Sequence, residues 1–189
     1  SPDGDESLKQ KNILILLNDK NTKQSGSNEL LKLLNNYCDN TNYVIHQQSN
    51  NIQPDCTFDF SNALHIKTIL NEKIKTSPMD IIIYISPSID IDNPSLDIFA
   101  IRNIFDWSKD SRNRIAKFVS ISFDNYEIFG NELLQEKPSI VFGVTQSIPF
   151  EYFTLDTKAF HIDLSSQDVS YADVLLPTLR QNEEKSLIA

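Results

Sequence analysis

The sequence predicts an α/β fold in which an open, mostly parallel sheet is flanked by helices. Continuous apolar runs, which are typical of strands buried on both faces of a parallel sheet, occur at residues 13–17 and 81–85. Segments with apolar residues at a spacing of three and four, which is typical of amphipathic helices, separate such runs. The two patterns alternate about five times along 189 residues, a length that suits one domain built from βαβ units.

In the first half of the chain, predicted strands alternate with segments that have helical spacing. The predicted strands are residues 13–17, 43–46 and 81–85. Ser27 and Ser61 are in position to cap the two intervening helices, because a serine side chain accepts a hydrogen bond from the first turn. Residues 1–10 are polar and acidic, and this composition predicts a disordered lead-in.

The second half of the chain continues the same alternation. The predicted strands are residues 115–121 and 159–164, and the predicted helices are residues 94–109, 127–135 and 172–179. Pro94 suits the first turn of its helix, where a missing N–H costs little. Residues 139–150 fit both a helix and a strand. The whole pattern indicates a Rossmann-like or flavodoxin-like sheet.

The glycine content and the charge exclude several functions. The chain has four glycines in 189 residues, far below the usual share of about 7%. No two of them are close enough for the G-x-G of a dinucleotide-binding loop or for a P-loop. No tyrosine is followed four residues later by the lysine that a short-chain reductase needs for proton transfer. The net charge of −9 disfavours nucleic acid and anionic membrane surfaces as partners.

Metal and membrane signals are also weak. His46, His65 and His161 have no His, Cys or carboxylate neighbour at a metal-ligand spacing. Cys38 and Cys56 suit reduced thiols in a protein of the cytoplasm. No run of 18 apolar residues occurs, so no transmembrane helix is predicted. We therefore expect a cytoplasmic protein that binds no metal and no cofactor.

Three short segments of the second half follow, in order, the pattern P…GxxxxxPxEYP…xxIDL, except that no proline follows Tyr152. They are residues 137–144 (KPSIVFGV), 148–152 (IPFEY) and 160–164 (FHIDL). Their order and spacing resemble the structural, non-catalytic subdomain of modular polyketide synthase ketoreductases, a pseudo-ketoreductase. Four further segments match strands or a helix start of the same template, namely residues 12–18, 57–61, 80–85 and 118–121. The resemblance covers about residues 12–180.

The resemblance implies a truncated Rossmann-like fold that has no dinucleotide-binding loop. It places the catalytic Tyr, Ser and Lys in a separate catalytic half, so NADPH is expected only in that partner. It divides the chain into a lead-in or linker at residues 1–11, one structural subdomain at 12–180 and a linker at 181–189. The residues that it singles out are structural or interface candidates rather than catalysts, namely Gly143, Pro149, Glu151, Tyr152 and Asp163.

We expect specific local roles for two of these candidate residues. Gly143 is expected to permit a close helix approach or an unusual backbone angle. Glu151 is expected either to hold a turn or to be exposed. The aromatic cluster Phe142, Phe150, Tyr152 and Phe153 fits both core packing and an apolar patch that contacts a partner.

The function that the resemblance implies is a supporting one. Such a subdomain catalyses no reaction and braces a catalytic ketoreductase subdomain, or a neighbouring domain of the synthase, by burying an apolar face against it. Two alternatives stay open. One is a flavodoxin-like domain that binds a small molecule or acts as an adaptor, and the other is a degenerate NADPH-dependent oxidoreductase.

Overall fold

The computed structural model describes residues 6–18, 25–37, 40–46, 57–58, 62–76, 79–85, 95–110, 115–123, 138–155, 157–164 and 171–180. The strands are β1 (Asn12–Asn18), β2 (Asn40–His46), β3 (Thr57–Phe58), β4 (Ile81–Ile85), β5 (Lys117–Phe123) and β6 (Lys158–Leu164). The α-helices are α1 (Glu6–Lys9), α2 (Ser25–Tyr37), α3 (Ala63–Thr76), α4 (Ser95–Ser108), α5 (Pro138–Glu151) and α6 (Tyr171–Arg180). A short 3-10 helix, Phe153–Leu155, follows α5.

The six strands form one sheet in the order β3-β2-β1-β4-β5-β6. Every neighbouring pair in it is parallel, and the register sets Ile13 opposite Ile81 and Ile81 opposite Lys117. Parallel neighbours need a crossover connection, which the alternating helices supply. The predicted fold class, an open parallel sheet flanked by helices, is therefore confirmed.

Helices cover both faces of the sheet. We call α3, α4 and α5 the first helix layer, because they pack with Leu14 and Leu16 of β1 on one face. We call α1, α2 and α6 the second helix layer, because they pack with Ile13 and Ile15 of β1 on the other face. Successive side chains of a strand point to opposite faces, so a strand between two apolar layers must be apolar at every position. This double burial explains the unbroken apolar runs of β1 and β4.

The segment that fitted both a helix and a strand is helix α5. Its buried residues Val141, Thr145 and Ile148 recur at a spacing of three and four, which places them on one side of a helix, and the buried Tyr152 follows directly after it at the same spacing. Pro138 occupies the first helical position, where its fixed backbone angle is favourable.

Of the two predicted helix caps, Ser27 is wrong, and Ser61 lies outside the described residues. Helix α2 begins at Ser25, so Ser27 lies within its first turn instead of before it. Helix α3 is capped by Asn62, whose Oδ1 accepts hydrogen bonds from the backbone N–H of Leu64 at 3.0 Å and of His65 at 3.4 Å. Asparagine and serine are comparable caps, so propensity alone did not distinguish Asn62 from its neighbour Ser61.

The predicted lead-in is not disordered where it is described. Glu6–Lys9 form α1, which belongs to the second helix layer. Leu8 of α1 is only 1% exposed because it packs into the core between this layer and the sheet. The predicted helix at 127–135 and the two cysteines lie outside the described residues. Within the described part of the chain, no helix has the length and hydropathy needed to cross a membrane.

Candidate functional site

The strand order reverses between β1 and β4, and open parallel sheets bind ligands at the carboxyl ends of the strands at such a point. Strand β1 ends at Asn18 and β4 at Ile85, and the segments that follow, 19–24 and 86–94, lie outside the described residues. Among the residues that are described, no group of three or more His, Cys, Asp or Glu is placed to hold a metal ion. The candidate features in the described residues are the exposed side chains of α5 and the buried polar side chains of the strands beneath it.

Helix α5 is apolar on its outward side as well as on its buried side. The outward side, which we call the α5 surface, consists of Phe142, Gly143, Gln146, Pro149 and Phe150. Phe142 is 39% exposed and Phe150 is 82% exposed. The sequence has no charged residue from Pro138 to Phe150. The predicted aromatic cluster is thus divided, because Tyr152 is buried whereas Phe142 and Phe150 are exposed. The side chain of Phe153 lies outside the described part.

Large apolar side chains that are exposed occur, within the described residues, on the first helix layer. They are Leu64 of α3, Ile98 and Phe99 of α4, and Phe142 and Phe150 of α5. The second layer instead exposes polar side chains such as Glu29, Lys32 and Asn36 of α2. Exposed apolar side chains on one helix layer are an observation from which an interaction surface can be proposed.

Gly143 and Pro149 lie on the α5 surface. A Cβ added to Gly143 would meet no atom within 4 Å, and its helical backbone is of a kind that any residue adopts. Among the residues that the structure describes, the expected close approach or unusual angle is therefore not found. Pro149 lies inside α5, and it is exposed.

The structure describes the side chain of Glu151 but not that of Asp163. Glu151 is the last residue of α5 and is exposed, which agrees with one of its two expected roles. Asp163 lies in β6, in register with Ser122 of β5, and its side chain is outside the described part.

Tyr152 is buried and anchors the end of α5 to α4. Its hydroxyl donates to Asp106 Oδ1 at 3.3 Å, and Lys109 Nζ lies 2.8 Å from the same oxygen and 4.8 Å from the centre of the Tyr152 ring. The ring also packs against Phe105 with 5.3 Å between centroids. Burial, and then the charge of Asp106, raise the pKa of Tyr152 to about 12. Tyr152 is therefore a neutral anchor at ordinary pH.

A series of hydrogen bonds joins β5, β6 and α5. Ser120 Oγ lies 2.7 Å from His161 Nδ1 and 2.8 Å from Thr145 Oγ1. Thr145 Oγ1 donates to the carbonyl oxygen of Val141 at 2.7 Å. Ser122 Oγ lies 3.0 Å from His161 Nε2. We call Thr145, Ser120, His161 and Ser122 the polar relay.

Sequence reasoning missed the polar relay. Its strand residues Ser120 and His161 are 41 positions apart, so only the pairing of β5 with β6 brings them together. One signal was present in the sequence, because Ser120 and Ser122 alternate within an otherwise apolar strand and so share one face of the sheet. Buried hydroxyls need hydrogen-bond partners, and this requirement alone indicates a polar cluster.

Tyr84 and Asp97 form a second buried polar contact on the same face. Tyr84 of β4 is fully buried, and its hydroxyl donates to Asp97 Oδ1 in the first turn of α4. Burial, and then the charge of Asp97, raise the pKa of Tyr84 well above its ordinary value. A carboxylate in the first turn of a helix is also favoured by the helix dipole.

Lys117 is the buried charged residue beneath the second helix layer. Its Nζ donates to the carbonyl oxygens of Thr178 and Leu179 at 2.8 Å each, which belong to the last turn of α6. Carbonyls at a helix end have no partner within the helix, so Lys117 caps α6 and holds it on the sheet. Burial, and then the charges of Lys158 and Lys11, lower the pKa of Lys117 to about 8.

A comparison of the sequence with protein-family models gives no match, and a comparison with curated proteins gives none either. Solved structures do match the fold. One is the adenylation, ketoreductase and pseudo-Asub multidomain structure of a keto acid-selecting NRPS module, with a TM-score of 0.66 and 10% identity over 90% of this chain. The match spans 15% of that multidomain chain.

Two oxidoreductases match with lower scores. A gluconate 5-dehydrogenase from Burkholderia cenocepacia J2315, in complex with NADP and tartrate, has a TM-score of 0.56 and 10% identity over 89% of this chain and 77% of its own. A short-chain dehydrogenase from Mycobacterium smegmatis has a TM-score of 0.54 and 10% identity over 92% of this chain and 86% of its own. At such identities the likeness is one of fold alone, and the fold is Rossmann-like.

Proposed function

We propose that this chain is a non-catalytic structural subdomain that supports a ketoreductase or an adjacent domain of a polyketide synthase. The observation that carries the proposal is a dehydrogenase-type fold without the two motifs on which dehydrogenase chemistry depends. The sequence has no G-x-G, and no tyrosine with a lysine four residues later. A fold can persist after its site has been lost, because core packing and active-site residues are separate requirements.

The first helix layer supports the choice of a bracing role. Its exposed apolar residues include Phe142 and Phe150, and the α5 surface between them has no charge. Contact with a partner removes such area from water at roughly 25 cal/mol per Å². We therefore place the contact with the catalytic partner on the first helix layer, with the α5 surface at its centre.

The first test asks whether the chain alone has any cofactor chemistry. We expect no thermal shift of the isolated chain with NADPH, and no NADPH oxidation with a β-ketoacyl thioester. The first readout is the melting temperature across an NADPH titration, because a ligand that binds only the folded state raises it. A saturable shift would favour the alternative of a degenerate oxidoreductase, and turnover would overturn the proposal.

The second test asks whether the chain braces a partner. The chain is co-expressed with the ketoreductase domain that the proposal requires in the same polypeptide, and the complex is measured by co-purification. The double variant Phe142→Asp/Phe150→Asp is expected to lose the complex, because it would bury two unpaired carboxylates. Asn36→Asp on the second layer adds the same kind of charge and is expected to keep it. If wild-type chain and ketoreductase do not associate, the bracing role is wrong.

A further inference from the structure

We infer that the buried contact between Ser120 of β5 and Thr145 of α5 selects the rotation at which α5 lies on the sheet. The two are then positioning residues of the α5 surface, because they decide which side chains of the helix face outward without contacting a partner themselves. The selection of the rotation concerns the chain alone. Its consequence for partner contact rests on the proposed function, which places that contact on the α5 surface.

The apolar pattern of α5 selects a rotation only weakly. The sequence has no charged residue from Pro138 to Phe150, and large apolar side chains occur on both sides of the helix. Val141 and Ile148 are 0% and 2% exposed, whereas Phe142 and Phe150 are 39% and 82% exposed. A helix that is apolar on one side only is oriented by the burial of that side. A helix that is apolar on two sides has a competing orientation, which some other interaction must disfavour.

Thr145 is the polar residue on the buried side of α5. Thr145 and Ser120 are both 0% exposed, and their hydroxyl oxygens lie 2.8 Å apart. Because a buried hydroxyl group needs a hydrogen-bond partner, Thr145 is favoured opposite Ser120 and disfavoured opposite an apolar side chain. A turn of α5 by one residue, about 100°, would carry Thr145 away from Ser120 and lose this contact. The contact therefore distinguishes rotations that the apolar side chains distinguish poorly.

A second contact agrees with the same rotation. The ring of Phe142 contacts the ring of His161 with 5.4 Å between centroids and an edge-on angle of 69°. His161 Nδ1 lies 2.7 Å from Ser120 Oγ, so Thr145 and Phe142 of α5 both connect to the same two strand residues. Two attachment points on different sides of a helix fix its rotation more closely than one, whichever atom of each hydrogen bond donates the proton. At this rotation Phe150 faces away from the sheet.

The test is the variant Thr145→Val in the full chain at neutral pH. Valine keeps the shape of the side chain, and Ser120 keeps its contact with His161, so the fold should be retained with little change in melting temperature. The readout is the nuclear Overhauser effect (NOE) between the rings of Phe142 and His161. We expect this NOE to fall to about half, since two comparably populated rotations share the signal, and the amide signals of α5 to shift or double.

Two further variants separate positioning from stability. Thr145→Ser keeps the hydroxyl group and should keep the NOE at its wild-type intensity. Thr68→Val also removes a hydroxyl that donates to the carbonyl oxygen four residues earlier, that of Leu64 at 2.9 Å, but on the exposed side of α3, and should leave the NOE unchanged. A Thr145→Val chain with the wild-type NOE and amide signals contradicts the inference. So does one that unfolds, because the contact would then stabilise the fold without selecting a rotation.

Affinity for the ketoreductase domain separates the inference from the proposed function. If about half of the chains keep the rotation that binds, the apparent dissociation constant should rise about twofold in Thr145→Val and stay at the wild-type value in Thr145→Ser. Isothermal titration calorimetry with the purified ketoreductase domain measures both. A reduced NOE with unchanged affinity would contradict the placement of the partner contact on the α5 surface, and it would support the selection of the rotation.

Discussion

Both helix layers pack apolar side chains against the sheet, but their solvent-exposed sides differ. Both bury aliphatic side chains against the sheet, as Ile148 of α5 and Leu175 of α6 do. The outer side of the second layer is polar at α2, whereas that of the first layer exposes Phe142 and Phe150. A buried apolar residue contributes to folding, and an exposed one contributes only when something covers it. The difference between the layers therefore separates what holds the domain together from what is available to a partner.

The buried polar groups differ between the layers as well. Beneath the first layer, hydroxyl and imidazole groups bond to one another in the polar relay, and Tyr84 bonds to Asp97. Beneath the second layer, the ammonium group of Lys117 bonds to the end of a helix. The first arrangement joins side chains of strands and helices, and the second joins a strand to a helix backbone. Three predictions break or sharpen this comparison.

The largest expected effect distinguishes the two sides of α5. Ile148→Ala should lower the free energy of unfolding by about 2–5 kcal/mol, because it leaves a cavity at a residue that is fully packed. Phe150→Ala, two residues later, should change it by less than about 0.5 kcal/mol, because the side chain is exposed. Urea denaturation followed by the fluorescence of Trp107 measures both. Equal losses would mean that the α5 surface is covered within the chain, and the contrast between the layers would fail.

A smaller effect is expected for the buried contact of the first layer. Tyr84→Phe removes one hydroxyl from the hydrogen bond to Asp97 and keeps the ring, so we expect a loss of about 1–3 kcal/mol. The measurement is again the free energy of unfolding in urea. Tyr152→Phe is a useful comparison. The hydrogen bond from Tyr152 to Asp106 is partly exposed, so its removal should lower the free energy of unfolding by less. A larger loss at Tyr152 than at Tyr84 would contradict the ranking by burial.

The pH dependence of stability tests the second layer. The pKa of Lys117 is lowered to about 8 from an ordinary value of 10.5. Between these two values the unfolded chain binds more protons at this position than the folded chain, so this group makes stability rise with pH. We therefore expect the melting temperature of wild type minus that of Lys117→Met to increase from pH 8 to pH 10.5. A difference that is flat or that falls over this range would show that the ammonium group is not disfavoured by burial.

Much of the fold was predictable from the sequence, because its main signals are local. Strand β4 was predicted with its observed bounds, and β1 within one residue at each end. The helix caps were not predictable in the same way, since Ser61 and Asn62 are both good caps and only the backbone hydrogen bonds of Leu64 and His65 identify Asn62. The 3-10 helix and the two-residue strand β3 were missed because such short elements carry no periodic signal.

The candidate residues show a similar division. The sequence directed attention to α5 and to Gly143, Pro149, Glu151 and Tyr152, but it led us to expect a packing role for Gly143 that no described neighbour requires. It could not separate Tyr152, which is buried, from Phe150, which is exposed two residues earlier. That separation depends on which side of α5 faces the sheet. The rotation of α5 about its own axis is set by contacts with residues far away in the sequence.

By itself the sequence determined the α/β fold class, the order of most strands and helices, and the lack of a glycine-rich loop. These properties depend on the apolar pattern of each segment and on the presence or absence of short motifs. Only the tertiary structure decided that the large exposed apolar residues of the described part lie on one helix layer, that Ser120, Thr145 and His161 meet, and that Lys117 caps α6. The physical reason is that these are contacts between residues distant in sequence, which exist only after the strands have paired and the helices have packed on a particular face.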